Sequence, residues 1–183
     1  MQAVGVFNFT SLNLTAETCL GEYEEDSDVD LVAGQAAPLR LSFATEMPLA
    51  RGEHVAFRLP NFTGAAFVLL PPELDTNANL SSVAWRPAGA RPPGCEDGEC
   101  VVVVLNQSVA ARESVCVWIP ASAGLTIPAV GLRRDQPSVT AQTDALTGKI
   151  SGSSLDVVTP VGAVLSFVLD FTPPLAGRPT GKP

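Results

Sequence analysis

The sequence predicts an all-β chain, an antiparallel β-sandwich that is immunoglobulin-like in the broad sense, with Pro/Gly-rich turns. Three observations point there. Apolar residues recur at every second position in several short runs, the period that puts one side-chain set on a core and the other towards solvent or a second layer. Turn-forming Pro, Gly, Asn and Asp separate these runs at intervals of about 8–15 residues. Helical periodicity sustained over eleven or more positions is hard to find.

The elements follow in chain order. Val6-Phe-Asn-Phe-Thr10 reads as a first strand. Leu39, Leu41 and Phe43 alternate with Arg40, Ser42 and Ala44, and Val55, Phe57 and Leu59 with His54, Ala56 and Arg58. Ala66–Leu70 and Val101–Leu105 are unbroken apolar runs of strand length, the pattern of strands buried on both faces. Val115, Val117 and Ile119 alternate with Cys116 and Trp118, and Val161 to Phe171 is β-rich. Val109–Arg112 and Asp144–Thr147 are each long enough for one helical turn. Trp85 and Trp118 sit wrongly for the Cys…Trp…Cys spacing of antibody domains, so the immunoglobulin likeness is one of architecture only.

A chain of 183 residues makes one domain, or one domain with flanking pieces. With 46% hydrophobic and 16% charged residues it is an ordered, core-forming composition. A net charge of −8 repels phosphate backbones and anionic lipid surfaces, which argues against nucleic acid as a partner. No stretch approaches the ~18 apolar residues of a membrane span.

Five of the six asparagines open an Asn-X-Ser/Thr triplet: Asn8, Asn13, Asn61, Asn79 and Asn106. Ser and Thr fill 26 of 183 positions, so about one or two matches would arise by chance. The triplet accepts N-linked glycan in a secretory lumen, and the excess predicts a secreted, extracellular or cell-surface glycoprotein. Cysteine usage agrees. Cys19, Cys95, Cys100 and Cys116 form an even set, suited to two disulfides with three possible pairings. Cys95 and Cys100 flank a turn-forming Asp97-Gly98, which suits a local bridge across a loop mouth and leaves Cys19 for Cys116. A four-cysteine zinc site needs two close pairs, and only one is present.

Secretion needs a targeting segment, yet Met1–Thr10 has no basic region and its apolar run breaks at Asn8. The expectation is that the chain is a piece of something longer. Val6-Phe-Asn-Phe-Thr10 matches Val168-Leu-Asp-Phe-Thr172 at three of five positions, which suggests a unit cut from a tandem array. The boundaries are then 1–16 as a strand or linker related to a preceding repeat, 17–172 as the sandwich module, and 173–183 as a linker onward.

The order Arg51-Gly-Glu-His-Val-Ala-Phe-Arg-Leu-Pro-Asn-Phe-Thr-Gly64, Ala84-Trp85, Ile119-Pro120, Leu125-Thr-Ile-Pro-Ala-Val-Gly-Leu132 and Phe171-Thr-Pro-Pro174 resembles the β-sandwich tandem repeats of large extracellular or surface proteins of algae and related protists. The resemblance spans most of the chain through short apolar motifs. It implies a structural or adhesive array, such as a flagellar hair or another filament, and carries no catalytic residues.

Chemistry-bearing residues are sparse. Seven of the nineteen acidic residues fall in positions 17–30, and Asp26, Asp28 and Asp30 set carboxylates at alternate positions, a donor set for calcium. The loop lacks the glycine and glutamate of an EF-hand, and a solvated acidic loop is the plainer reading. His54, the single histidine, alternates with core positions and so faces solvent; no Gly-X-Ser-X-Gly elbow accompanies it, and no enzyme is expected. Trp85, Trp118 and Tyr23 suit either a sugar-stacking platform or core packing, with packing favoured. Arg133-Arg134 is a small basic spot able to pair with a neighbouring module. The expected function is a structural or adhesive module assembling with like modules, its cofactors limited to N-linked glycans and calcium; the alternative is a receptor- or lectin-like binding module.

Overall fold

The computed structural model describes residues 5–21, 31–89, 95 and 98–162. Its strands are β1 (Phe7–Leu14), β2 (Leu39–Thr45), β3 (His54–Arg58), β4 (Phe67–Leu69), β5 (Asp75–Thr76) and β6 (Leu80–Arg86). They continue with β7 (Cys100–Leu105), β8 (Val115–Ile119), β9 (Thr140–Thr143), β10 (Ile150–Ser154) and β11 (Val157–Val158). One sheet has the order β11-β1-β2-β8-β5 and the other β10-β9-β3-β7-β6-β4. Every pairing is antiparallel except β1 with β11. The chain is therefore a β-sandwich. Among the described residues the one helical element is a 3-10 turn, Ala121–Ala123, and no helix is long and apolar enough to cross a membrane.

Alternation builds the interior. Leu12, Leu14, Leu39, Leu41, Phe43, Val115, Val117 and Ile119 face inward from the first sheet. Val55, Phe57, Val83, Trp85, Val101, Val103 and Leu105 face them from the second. Phe43 and Phe57 meet across the gap with ring centroids 5.9 Å apart, tilted at 55°. Each such buried side chain contributes about 1.5–3 kcal/mol through removal of apolar surface from water.

The centre has an internal pseudo-two-fold. The turn from β2 to β3 carries the chain from the first sheet to the second; the turn from β7 to β8 carries it back. Leu49 in one turn and Val109 in the other exchange backbone hydrogen bonds at 3.0 and 2.9 Å. In each turn a glutamate accepts a backbone N–H three residues back: Ala50 to Glu53 and Ala110 to Glu113, both at 2.8 Å. Gly52 (φ 86°) donates its N–H to Leu105 O, and Arg112 (φ 64°) donates to Thr45 O. Every one of these positions has its counterpart sixty residues on.

Each outer face is also covered in part. Outside the first sheet, Thr15–Cys19 crosses Trp118, whose Nε1 donates to Thr15 O at 3.1 Å. Outside the second, Cys95 and Cys100 pack on Ala56 and Val102, with Val104 beside them. Val101–Leu105 is thus buried on both faces, as its unbroken apolar run requires.

The other such run departs from expectation. Within Ala66–Leu70, β4 is an edge strand paired only with β6, and Val68 and Leu70 are 47% and 52% exposed. Among the described residues, continuous hydrophobicity here produces an exposed apolar edge. Val109–Arg112 and Asp144–Thr147 belong to single turns, closed by Glu113 N–H to Ala110 O and Gly148 N–H to Ala145 O. The segment 1–16 contains β1, which pairs with β2 from Phe7–Thr45 to Leu14–Leu39 and places Leu12 in the core. Val161 bridges Leu132, while the remainder of the β-rich stretch to Phe171 lies outside the described residues.

Candidate functional site

Four sequon asparagines, Asn8, Asn61, Asn79 and Asn106, are exposed, and Asn13 is half-buried. Asn8 stands where the β1–β2 register slips between Phe7 and Phe9, a bulge that turns its side chain outward. Asn61 follows β3 with φ 66°, a left-handed conformation asparagine tolerates better than most residues. Asn79 and Asn106 sit side by side at neighbouring ends of β6 and β7. Asn106 donates its backbone N–H to Asn79 O and its Nδ2 to Asn79 Oδ1, both at 3.0 Å. Glycans on both would leave the surface at one point.

All four cysteines are paired. Cys19–Cys116 joins residues 97 apart with a Cα–Cα distance of 5.7 Å, and Cys95–Cys100 spans 6.4 Å. Four disulfide-bonded sulfurs leave no thiolate set for zinc. The Cys95–Cys100 bridge is the local link expected from the sequence; Cys100 begins β7, and both cysteines pack on the outer face of the second sheet. Cys19–Cys116 pins the strap formed by Thr15–Cys19, aided by Cys19 N–H to Asp75 Oδ1 at 2.8 Å and an Arg40–Glu17 ion pair at 3.1 Å. A crosslink over so long a loop contributes about 2–4 kcal/mol.

Beside the second disulfide runs an open groove of about 520 Å³, lined by Arg58, Cys95, Thr140, Gln142, Asp144 and Lys149, among others. Strand alternation explains its polarity: Ala141 points into the core, so Thr140 and Gln142 point out. A bulge in β10 between Ile150 and Ser153 opens its rim. No sequon asparagine lines it. Donors and acceptors are mixed, so the groove suits a polar ligand and lacks an aromatic stacking surface.

His54 lies near one end. It is outward-facing but covered, with its side chain 14% exposed, a correction to the solvent-facing position expected from alternation. Its Nε2 is 3.2 Å from Asp144 Oδ1, yet the alignment is too poor for a hydrogen bond and the buried Nε2 has no hydrogen-bond partner. Among the described residues no hydroxyl is bonded to that nitrogen.

Trp85 is fully buried and donates its Nε1 to Gly64 O at 3.3 Å; Trp118 is 6% exposed beneath the strap. Neither can stack on a sugar, and Tyr23 lies outside the described residues. So do Asp26, Asp28 and Asp30, the calcium candidates. Among the described residues no cluster of three or more His, Cys, Asp or Glu is placed to hold a metal. Arg134 borders a second hollow of about 330 Å³ beside β11, with Asp156.

Fold and surface together define a disulfide-stapled β-sandwich that carries five Asn-X-Ser/Thr triplets. No protein family, curated protein or solved structure matches the chain.

Proposed function

We propose that this chain is a structural or adhesive module of a secreted, N-glycosylated protein, assembling with like modules in an extracellular filament or cell-surface layer. The observation that carries the reading is the exposure of four of the five sequon asparagines on a folded β-sandwich. Two disulfides are compatible with an oxidising compartment. Glycans on this surface would hydrate it and keep sheet edges from indiscriminate pairing. Contacts between copies would then use the surface left bare, which includes the apolar edge at Val68 and Leu70.

A receptor- or lectin-like module is the second reading, favoured by the sequon-free polar groove at Arg58, Gln142 and Lys149. Crosslinking mass spectrometry on the assembled native material separates the two. The structural reading expects crosslinked peptide pairs that can only join different copies. Crosslinks confined to single copies would overturn it.

A further inference from the structure

The five acceptor triplets differ sharply in the finished fold, and this difference has a consequence for when each can be modified. Transfer joins the asparagine Nδ2 to the anomeric carbon of a lipid-linked oligosaccharide. A C–N bond forms, the sugar–phosphate C–O bond breaks, the lipid pyrophosphate leaves, and the amide loses one proton. The transferase must reach both the amide and the hydroxyl two residues on. Asn61 with Thr63, Asn79 with Ser81, and Asn106 with Ser108 are exposed at both positions, and the one bond between the Asn106 and Asn79 amides is itself exposed to solvent.

The triplets on β1 are different. Thr10, the hydroxyl partner of Asn8, is 1% exposed. Its N–H and its Oγ1 both bond Asp156 Oδ2, at 2.7 and 3.1 Å, and Asp156 N–H returns a bond to Thr10 O at 3.2 Å. Asn13 donates its Nδ2 to Ser11 Oγ at 3.3 Å, and its Oδ1 accepts from Thr159 Oγ1 at 3.4 Å. Thr159 N–H bonds Leu12 O at 2.9 Å, and Leu14 N–H bonds Thr159 Oγ1 at 3.3 Å. These locking partners, Asp156 and Thr159, stand 146 residues after Thr10 and Asn13.

We propose that Asn8 and Asn13 accept oligosaccharide only while β1 is open on its β11 side, and that docking of residues 156–159 closes both sites. The inference rests on the reading of this chain as N-glycosylated and adds the timing. At about 5–20 residues per second, synthesis of the intervening chain holds the window open for roughly 7–30 s. Asn61, Asn79 and Asn106 need no such window.

The test uses the full chain, folded, disulfide-intact and unglycosylated, with purified oligosaccharyltransferase and a lipid-linked donor, read by site-resolved mass spectrometry. In the folded chain, occupancy at Asn8 and Asn13 should be at least about ten-fold below that at Asn61, Asn79 and Asn106. Reduction and denaturation should bring all five to similar levels. In Asp156→Ala/Thr159→Ala, occupancy at Asn8 and Asn13 should rise while the other three stay constant. Equal transfer to both groups in the folded chain, or no rise at Asn8 and Asn13 on unfolding, would overturn the gating and leave the glycoprotein reading standing. No transfer at any site in either form would overturn both.

Discussion

Leu49 and Val109 bond each other through both backbone N–H groups, and they hold equivalent places in two turns that cross the sandwich in opposite directions. Around them the equivalence extends to Glu53 and Glu113, Gly52 and Arg112, and Leu105 and Thr45. The centre of the fold is therefore one turn design used twice, and small differences between the copies make it testable.

Glu53 carries more than Glu113. Its Oε2 accepts Ala50 N–H, and its Oε1 accepts Leu146 N–H at 2.7 Å, tying down the turn after β9. Glu113 has the first bond alone. Glu53→Ala should cost about 2 kcal/mol and Glu113→Ala about 1 kcal/mol. Urea denaturation of the two variants checks the order; equal losses would show that the second bond adds nothing.

The positive φ at Gly52 and Arg112 predicts substitutions of opposite sign. No atom lies within 4 Å of a Cβ built at Gly52, so Gly52→Ala meets only the left-handed backbone penalty, about 1 kcal/mol. Arg112→Gly relieves a similar strain and loses only an exposed ion pair to Glu46. It should be neutral or stabilising by up to about 1 kcal/mol, as thermal melts of the two variants would reveal.

Gly64 is a harsher case. A Cβ there would sit 2.7 Å from Gly124 O, at φ +150°. The obstacle is backbone near the pseudo-two-fold and cannot swing aside. Gly64→Ala should cost more than about 2 kcal/mol, well above Gly52→Ala. Similar melting temperatures for the two variants would contradict the close approach.

Opening the Cys19–Cys116 bridge should release the strap and wet Trp118 while Trp85 stays buried. Cys19→Ser/Cys116→Ser should lose about 2–4 kcal/mol and show a red-shifted fluorescence component that acrylamide quenches. An unchanged spectrum under native conditions would mean the strap holds without its crosslink.

Much of the sandwich is written in the alternation of residues 39–45, 54–58 and 115–119, because a period of two survives whatever the sheet partner. The double burial of Val101–Leu105 is equally plain. Other features leave no such mark. Ala66–Leu70 is equally unbroken in its apolar residues but lies at an edge, and edge position depends on which strand is missing beside it. Trp118 reads as a core residue, yet what buries it is a strap closed by Cys19. The repeated turn is hard to see because its matches are isolated residues such as Ala50/Ala110, Glu53/Glu113, Val55/Val115 and Pro60/Pro120, set among unlike neighbours. The likeness between Val6–Thr10 and Val168–Thr172 pairs the two ends of the chain, and its second half lies outside the described residues. Of the candidate site, the acceptor asparagines were legible as triplets. Their division into open and locked groups was not, because Asp156 and Thr159 are far away in sequence.

The most direct test of a lumenal, glycan-bearing module is mass spectrometry of non-reduced peptides from the native protein. Hexosamine-anchored glycan on Asn61, Asn79 and Asn106, together with the peptide pairs joined by Cys19–Cys116 and Cys95–Cys100, is the predicted result. Unmodified asparagines at all five triplets with four free thiols would contradict it.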